Sequence, residues 1–185
     1  MQIVDVSDPA TPDELGFLDT PGDAQAVVVV VRGDKVVAFV ANDYYGVRVI
    51  DVTNPAQPVE ISHLPQEMGG VRSGIAVYHN YVYVTSGLPD LDLDGVYVMD
   101  ISDLDAPRFV GMAHARRSTG VTIKNGPRHV TGDNLTVFDL ADPVRPVNLG
   151  AYDSTGPVAV ADDLAYHPNF AQNSGRPIVS QNLTN

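Results

Sequence analysis

The chain has 185 residues, 44% of them apolar, no cysteine and a formal net charge of −12. That composition is globular with enough residues for a real core, and it excludes disulfides and thiolate zinc sites. The acidic balance argues against general nucleic-acid binding, which needs a basic footprint. The longest apolar run, Ala26 to Val31, is far short of the roughly eighteen residues of a membrane span.

In chain order, Met1-Gln2-Ile3-Val4-Asp5 has no basic region ahead of an apolar one, so no signal peptide is expected and the segment reads as mid-strand. Ile3-Val4-Asp5-Val6-Ser7-Asp8-Pro9 then opens a pattern that returns three times. It recurs as Val49-Ile50-Asp51-Val52-Thr53-Asn54-Pro55, as Val98-Met99-Asp100-Ile101-Ser102-Asp103 and as Val137-Phe138-Asp139-Leu140-Ala141-Asp142-Pro143. The aspartates lie 46, 49 and 39 residues apart, a period found in propeller blades and helical arrays. Val, Ile and Tyr punctuated by Pro, Gly and Asn, with no 3.6-residue stripe, select strands. Anchor strands are expected near 2–6, 47–52, 96–101 and 135–140.

Between the anchors lie hairpin signals. Val27–Val31 faces Val36–Val40, and Gly74–Tyr78 faces Tyr81–Val84 across His79-Asn80. Val121–Ile123 faces His129–Thr131, with His129 at the strand position of Tyr83, and Val158–Val160 faces Leu164–Tyr166. Four short strands per repeat make one blade, so an all-β propeller of about four four-stranded blades is expected over 1–167, followed by a loose polar tail, 168–185. The strands near 2–6 and 14–18 would complete a blade begun by 157–161 and 164–167. A self-closed ring, a piece of a larger ring and closure through a second chain all fit, the last implying self-association.

The anchor Val49-Ile50-Asp51-Val52 with its turn Thr53-Asn54-Pro55-Ala56-Gln57-Pro58 resembles the LVIVD-repeat family. The resemblance covers about residues 1–166; the third copy lacks the first proline of the turn and the fourth fades after Tyr166. It implies a β-propeller, an extracellular or cell-surface location of bacterial or archaeal type, and no particular activity.

Three groups of residues invite chemistry. Asp5, Asp51, Asp100 and Asp139 recur in every unit, which suits a carboxylate that accepts backbone N–H groups in a turn better than a catalytic acid. Pro89-Asp90-Leu91-Asp92-Leu93-Asp94-Gly95 scans like the start of a calcium loop, with Asp90, Asp92 and Asp94 at ligand positions. Its positions 9 and 12 are Val98 and Ile101, so calcium there would need ligands from elsewhere. Finally, Arg108, Arg116, Arg117, Lys124 and Arg128 fall within 21 positions. Arg72, Ser73, His114, Arg117 and Ser118 lie in segments leading into innermost strands and could converge on a carboxylate or phosphate.

No metal-protease, nucleophile-elbow or phosphate-loop motif is present. After residue 20 only Glu60 and Glu67 supply glutamate. The expectation is a non-catalytic binding module for a protein, glycan or small anion, without nucleic acid, membrane span or required cofactor. The alternative is a hydrolase- or lyase-type enzyme with its site at the channel mouth.

Overall fold

The computed structural model describes residues 1–64, 71–86, 94–115, 120–124, 128–131, 134–153, 159–161, 164–166 and 181–182. All regular structure within them is antiparallel strand. A short sheet pairs β1 (Gln2–Asp5) with β2 (Asp13–Phe17). Three four-stranded meanders follow. The first is β3 (Ala26–Arg32), β4 (Lys35–Ala41), β5 (Val47–Asp51) and β6 (Val59–Leu64). The second is β7 (Val71–Tyr78), β8 (Tyr81–Ser86), β9 (Gly95–Asp100) and β10 (Arg108–His114). The third is β11 (Val121–Lys124), β12 (Arg128–Thr131), β13 (Asn134–Asp139) and β14 (Val147–Asp153). The last sheet has β15 (Ala159–Ala161), β16 (Leu164–Tyr166) and β17 (Gln181–Asn182).

Each meander is a propeller blade. First strands neighbour first strands, β3 beside β7, β7 beside β11 and β11 beside β15, so they form the inner wall. The anchors are third strands, and Val47, Val49, Ile50, Val96, Val98 and Met99 are all buried. A strand apolar on both faces needs a sheet on each side, and each gap between blades is filled accordingly. Val37, Phe39, Val49, Val82, Tyr97 and Met99 close the first gap, and Tyr83, Val98, Phe138 and Leu140 the second. Leu135 and Ala165 meet in the third.

The short β1–β2 sheet packs on the first full blade, where Met1, Ile3 and Leu18 cover Ala38, Val40, Ile50 and Val52; among the described residues it does not pair with β15–β16. It covers β4 and β5, and Val27, Val29 and Val31 of β3 remain exposed. The position beside β16 is taken by β17, where Leu164 faces Asn182 and Ala165 faces Gln181. Part of the segment expected to be loose thus supplies a strand, because β16 otherwise presents an open row of backbone donors and acceptors.

The register also moves His129 by one place. It faces Phe138, one residue before Asp139, just as Val82 faces Met99, so its counterpart is Val82 rather than Tyr83.

Small residues on the outer strands let the blades approach. A β-carbon on Gly16 of β2 would overlap the carbonyl oxygen of Pro55, and one on Gly111 of β10 would overlap that of Val144. Both carbonyls belong to the turn after the anchor strand of the next blade. At the corresponding place on β6, Ser62 donates its hydroxyl to Leu104 O at 2.5 Å. Gly16, Ser62, Gly111 and Gly150 pair with equivalent anchor residues Ile3, Val49, Val98 and Val137. In each pair the outer strand carries one extra residue beside this position, so the register shifts.

Gly111→Ala should therefore destabilise the fold. Overpacking costs about 1–3 kcal/mol, against about 0.5–1 kcal/mol gained by replacing strand glycine. At Gly150 a β-carbon meets no described atom within 4 Å, so Gly150→Ala should be neutral or stabilising. Denaturant unfolding of both variants checks the opposite signs.

Candidate functional site

The connections divide between two ends. One carries the hairpin turns and the turns after the anchor strands; the other, the loop face, carries the remaining links within and between blades. On the loop face the innermost strands are pressed together at two glycines. A β-carbon on Gly74 would lie 2.7 Å from the Cα of Gly120 and 2.7 Å from the nitrogen of Val121. Only a residue without a side chain allows that backbone approach. The Gly74 nitrogen also donates to Thr85 Oγ1 at 3.1 Å, and Thr85 is fully buried. Lacking a β-carbon is thus a packing requirement here, and it sets Gly74 of β7 directly against Gly120 and Val121.

Arg72 and Ser73 lie on β7, at the loop-face end of the inner wall; their side chains are outside the described set. Arg117 and Ser118 are outside the described residues, as are Asp90 and Asp92. His114 ends β10 opposite Gly95 and is exposed. It stands on the outermost strand, a blade's width from Arg72. Asp94 immediately precedes β9, and its carbonyl accepts from the Ala115 nitrogen at 3.3 Å. Among the described residues no group of three or more His, Asp or Glu side chains could hold a metal ion.

A second feature of this face is one the sequence reading passed over. Asn42, at the end of β4, is fully buried. Its nitrogen donates to Gly46 O at 2.8 Å, its Nδ2 to Pro21 O at 3.0 Å, and its carbonyl accepts from Tyr45 N at 2.7 Å. Ser86 holds the matching place at the end of β8 and is also fully buried. The signal available was a polar residue directly after an apolar strand and before Asp43-Tyr44-Tyr45-Gly46.

The recurring aspartates sit at the opposite end and act on the backbone. Oδ1 of Asp5, Asp51, Asp100 and Asp139 accepts the nitrogen two residues on, from Ser7 (2.8 Å), Thr53 (3.0 Å), Ser102 (2.9 Å) and Ala141 (2.9 Å). Three residues later Asp8, Asn54, Asp103 and Asp142 repeat the bond to Ala10, Ala56, Asp105 and Val144. Each turn is two Asx turns in tandem. These bonds hold the carboxyls of Asp5, Asp8, Asp51 and Asp100 below the usual range. The backbone bond leads at Asp5 and Asp8, and the neighbouring hydroxyl leads at Asp51 and Asp100.

Each anchor strand after the first, with its tandem Asx turn, thus forms a unit that docks on the outer strand of the preceding sheet, and over the first three copies the sequence carries the LVIVD repeat. Its profile matches residues 1–20, 21–64 and 69–114. The chain belongs to the LVIVD repeat family. Among solved structures, this LVIVD-repeat chain is similar to the computationally designed Ika8 protein. The TM-score is 0.56 at 15% identity, over 85% of this chain and 46% of that one. It thus spans about half the length of that protein, and the likeness concerns the fold alone. A chain of the S. cerevisiae complex of a Dbp5 variant with Nup159, Gle1, IP6 and ADP gives a TM-score of 0.48 at 12% identity, over 84% of this chain and 42% of that one. No curated protein matches. No helix among the described residues is long and apolar enough to cross a membrane.

The turn carboxylates predict an acid limit. Their folded pKa values are depressed, so their contribution is complete above the unfolded value of about 3.9 and is lost as pH falls through the lowered values. Melting temperature should drop as pH falls below about 4. In Asp100→Ala, which also removes the bonds to Ser102 and Arg108, stability at neutral pH should fall by about 1 kcal/mol. That variant should show a shallower acid slope, and thermal melts from neutral pH to pH ~2.5 check both.

Proposed function

We propose that this LVIVD-repeat chain is a non-catalytic binding module whose loop face takes a protein, glycan or small anionic ligand. The observation that carries the reading is the contact of Gly74 with Gly120. Arg72 and Ser73 precede Gly74 in sequence, and Arg117 and Ser118 precede Gly120; guanidinium and hydroxyl groups converging from both would suit a carboxylate or phosphate. The repeated aspartates are engaged by their own turns, so the copies share a structural signature rather than a catalytic one. An extracellular or cell-surface setting agrees with the family resemblance. Calcium at Asp90, Asp92 and Asp94 would be an accessory to this face, not a reactive centre.

The test is a titration with a panel of mono- and dicarboxylates and inorganic phosphate. Arg72→Ala combined with Arg117→Ala should weaken binding at least about ten-fold, the loss of one to two charge-assisted hydrogen bonds. Unchanged binding removes the anion site. Saturable turnover of an ester, phosphate or glycoside reporter would move the assignment to a hydrolase or lyase at the same mouth. For the acidic loop, calcium should raise the melting temperature and EDTA should reverse the rise; a melt unmoved by either removes the metal.

A further inference from the structure

A second corner of the loop face has the opposite chemistry. Between β4 and β5 the chain turns through Asn42-Asp43-Tyr44-Tyr45-Gly46, and Tyr44 and Tyr45 are 51% and 50% exposed. Their loop is held in one shape. Asn42 is tied to Gly46, Tyr45 and Pro21 by the three bonds given above, and Asp43 and Gly46 both take left-handed backbone, at φ 35° and 77°. The Tyr45 ring rests on Gly22, whose backbone is also left-handed at φ 72°. A β-carbon there would lie 2.8 Å from the ring's Cε2 and closer still to Cδ2. One side of the ring is therefore backed by the β2–β3 connection while half of the residue faces solvent. A ring fixed in this way presents a flat surface without an ordering cost on binding.

The two segments that build the corner carry charge of one sign. Residues 18–25 and 42–46 contribute Asp19, Asp23 and Asp43 and no basic side chain. Arg48, the basic residue of the adjoining β5, is turned to Glu60 at 3.0 Å. The Met1 ammonium is committed to Leu18 O at 2.8 Å. Beneath the loop, Asn42 Oδ1 is buried without a hydrogen-bond partner among the described residues, which adds negative potential. The negative face of an aromatic ring attracts cations, more so beside carboxylates. A neutral sugar could stack on the same ring but would gain nothing from that field.

We propose that the Tyr44–Tyr45 corner is a binding site for an organic cation, an alkylammonium or guanidinium group, stacked on the Tyr45 ring with Asp43 and Asp23 as counter-charges. The proposal rests on the loop face being a binding surface, but uses none of the arginines of the anion site.

The experiment is an NMR titration of the tyrosine ring signals with choline chloride and with arginine amide, against sodium chloride at equal ionic strength. The neutral isostere 3,3-dimethylbutan-1-ol and a monosaccharide panel serve as comparisons. At least one cation should saturate, and the isostere should bind about five-fold more weakly or worse. Tyr45→Ala should weaken the cation about five-fold, and Tyr45→Phe should retain it. Asp43→Asn, which tolerates the left-handed backbone, should weaken it while leaving the fold intact. Equal binding of the isostere, saturation by a sugar instead, indifference to both Tyr45→Ala and Asp43→Asn, or no saturation by either cation would overturn the proposal. If the anion panel still binds in that case, the binding-module reading stands and only this corner is lost.

Discussion

Everything in this chain depends on each central sheet burying both of its faces. An isolated four-stranded meander with Val47, Val49, Ile50, Val37 and Phe39 fully buried would be insoluble on two sides. Stacking solves this only if every blade has a neighbour of the same shape, which forces the repeat to be a structural unit rather than a loose sequence theme. Tight backbone approaches serve that end. Gly74 lets two inner strands touch, and Gly16, Ser62 and Gly111 let each outer strand receive the turn of the next blade.

The tandem Asx turns make that docking reproducible. A turn clamped by two side-chain oxygens arrives at its neighbour in one conformation, so a carbonyl such as Val144 O can be placed against Gly111 without searching. Arg32 adds a tie at the hairpin tips, donating from Nη1 to Asn80 Oδ1 at 2.8 Å and from Nη2 to the His79 carbonyl, where His79 holds left-handed backbone at φ 51°. Fixing one end of the blades leaves the opposite end free to vary. There the connections differ in length from copy to copy, and there Arg72 and the tyrosine corner lie.

Much of the fold was legible because two periods coincide: a two-residue alternation within hairpins and a repeat in the forties between anchors. The aspartates' role was legible for the same reason, since a residue needed in every copy serves the copy. What sequence could not give was pairing beyond a hairpin. The place of β1–β2 on the first blade follows from shape, and that of β17 beside β16 from an open edge. The one-place error at His129 arose because hairpin alternation fixes the face of a residue but not its height on the strand. At the candidate sites, Arg72 and Arg117 stood out by charge, whereas Gly74 opposite Gly120 and the buried Asn42 carry no pattern of their own. His114 was grouped with the arginines by nearness in sequence, and a meander sends its last strand to the rim.

The extra residue in each outer strand has a consequence for how such a chain can change. Leu15, Ile61, Val110 and Leu149 occupy that place, opposite the same step of each anchor. Beyond it the side chains exchange faces. Along β10, Phe109 stacks near Tyr97 and Met112 joins the same gap three residues on, while Val110 and Ala113 share the other gap. The rim strand is thus already out of phase with the three strands inside it. A residue gained or lost there re-phases one short segment and leaves the inner wall where it was, so length variation can accumulate at the circumference while the packing of the inner strands is inherited intact.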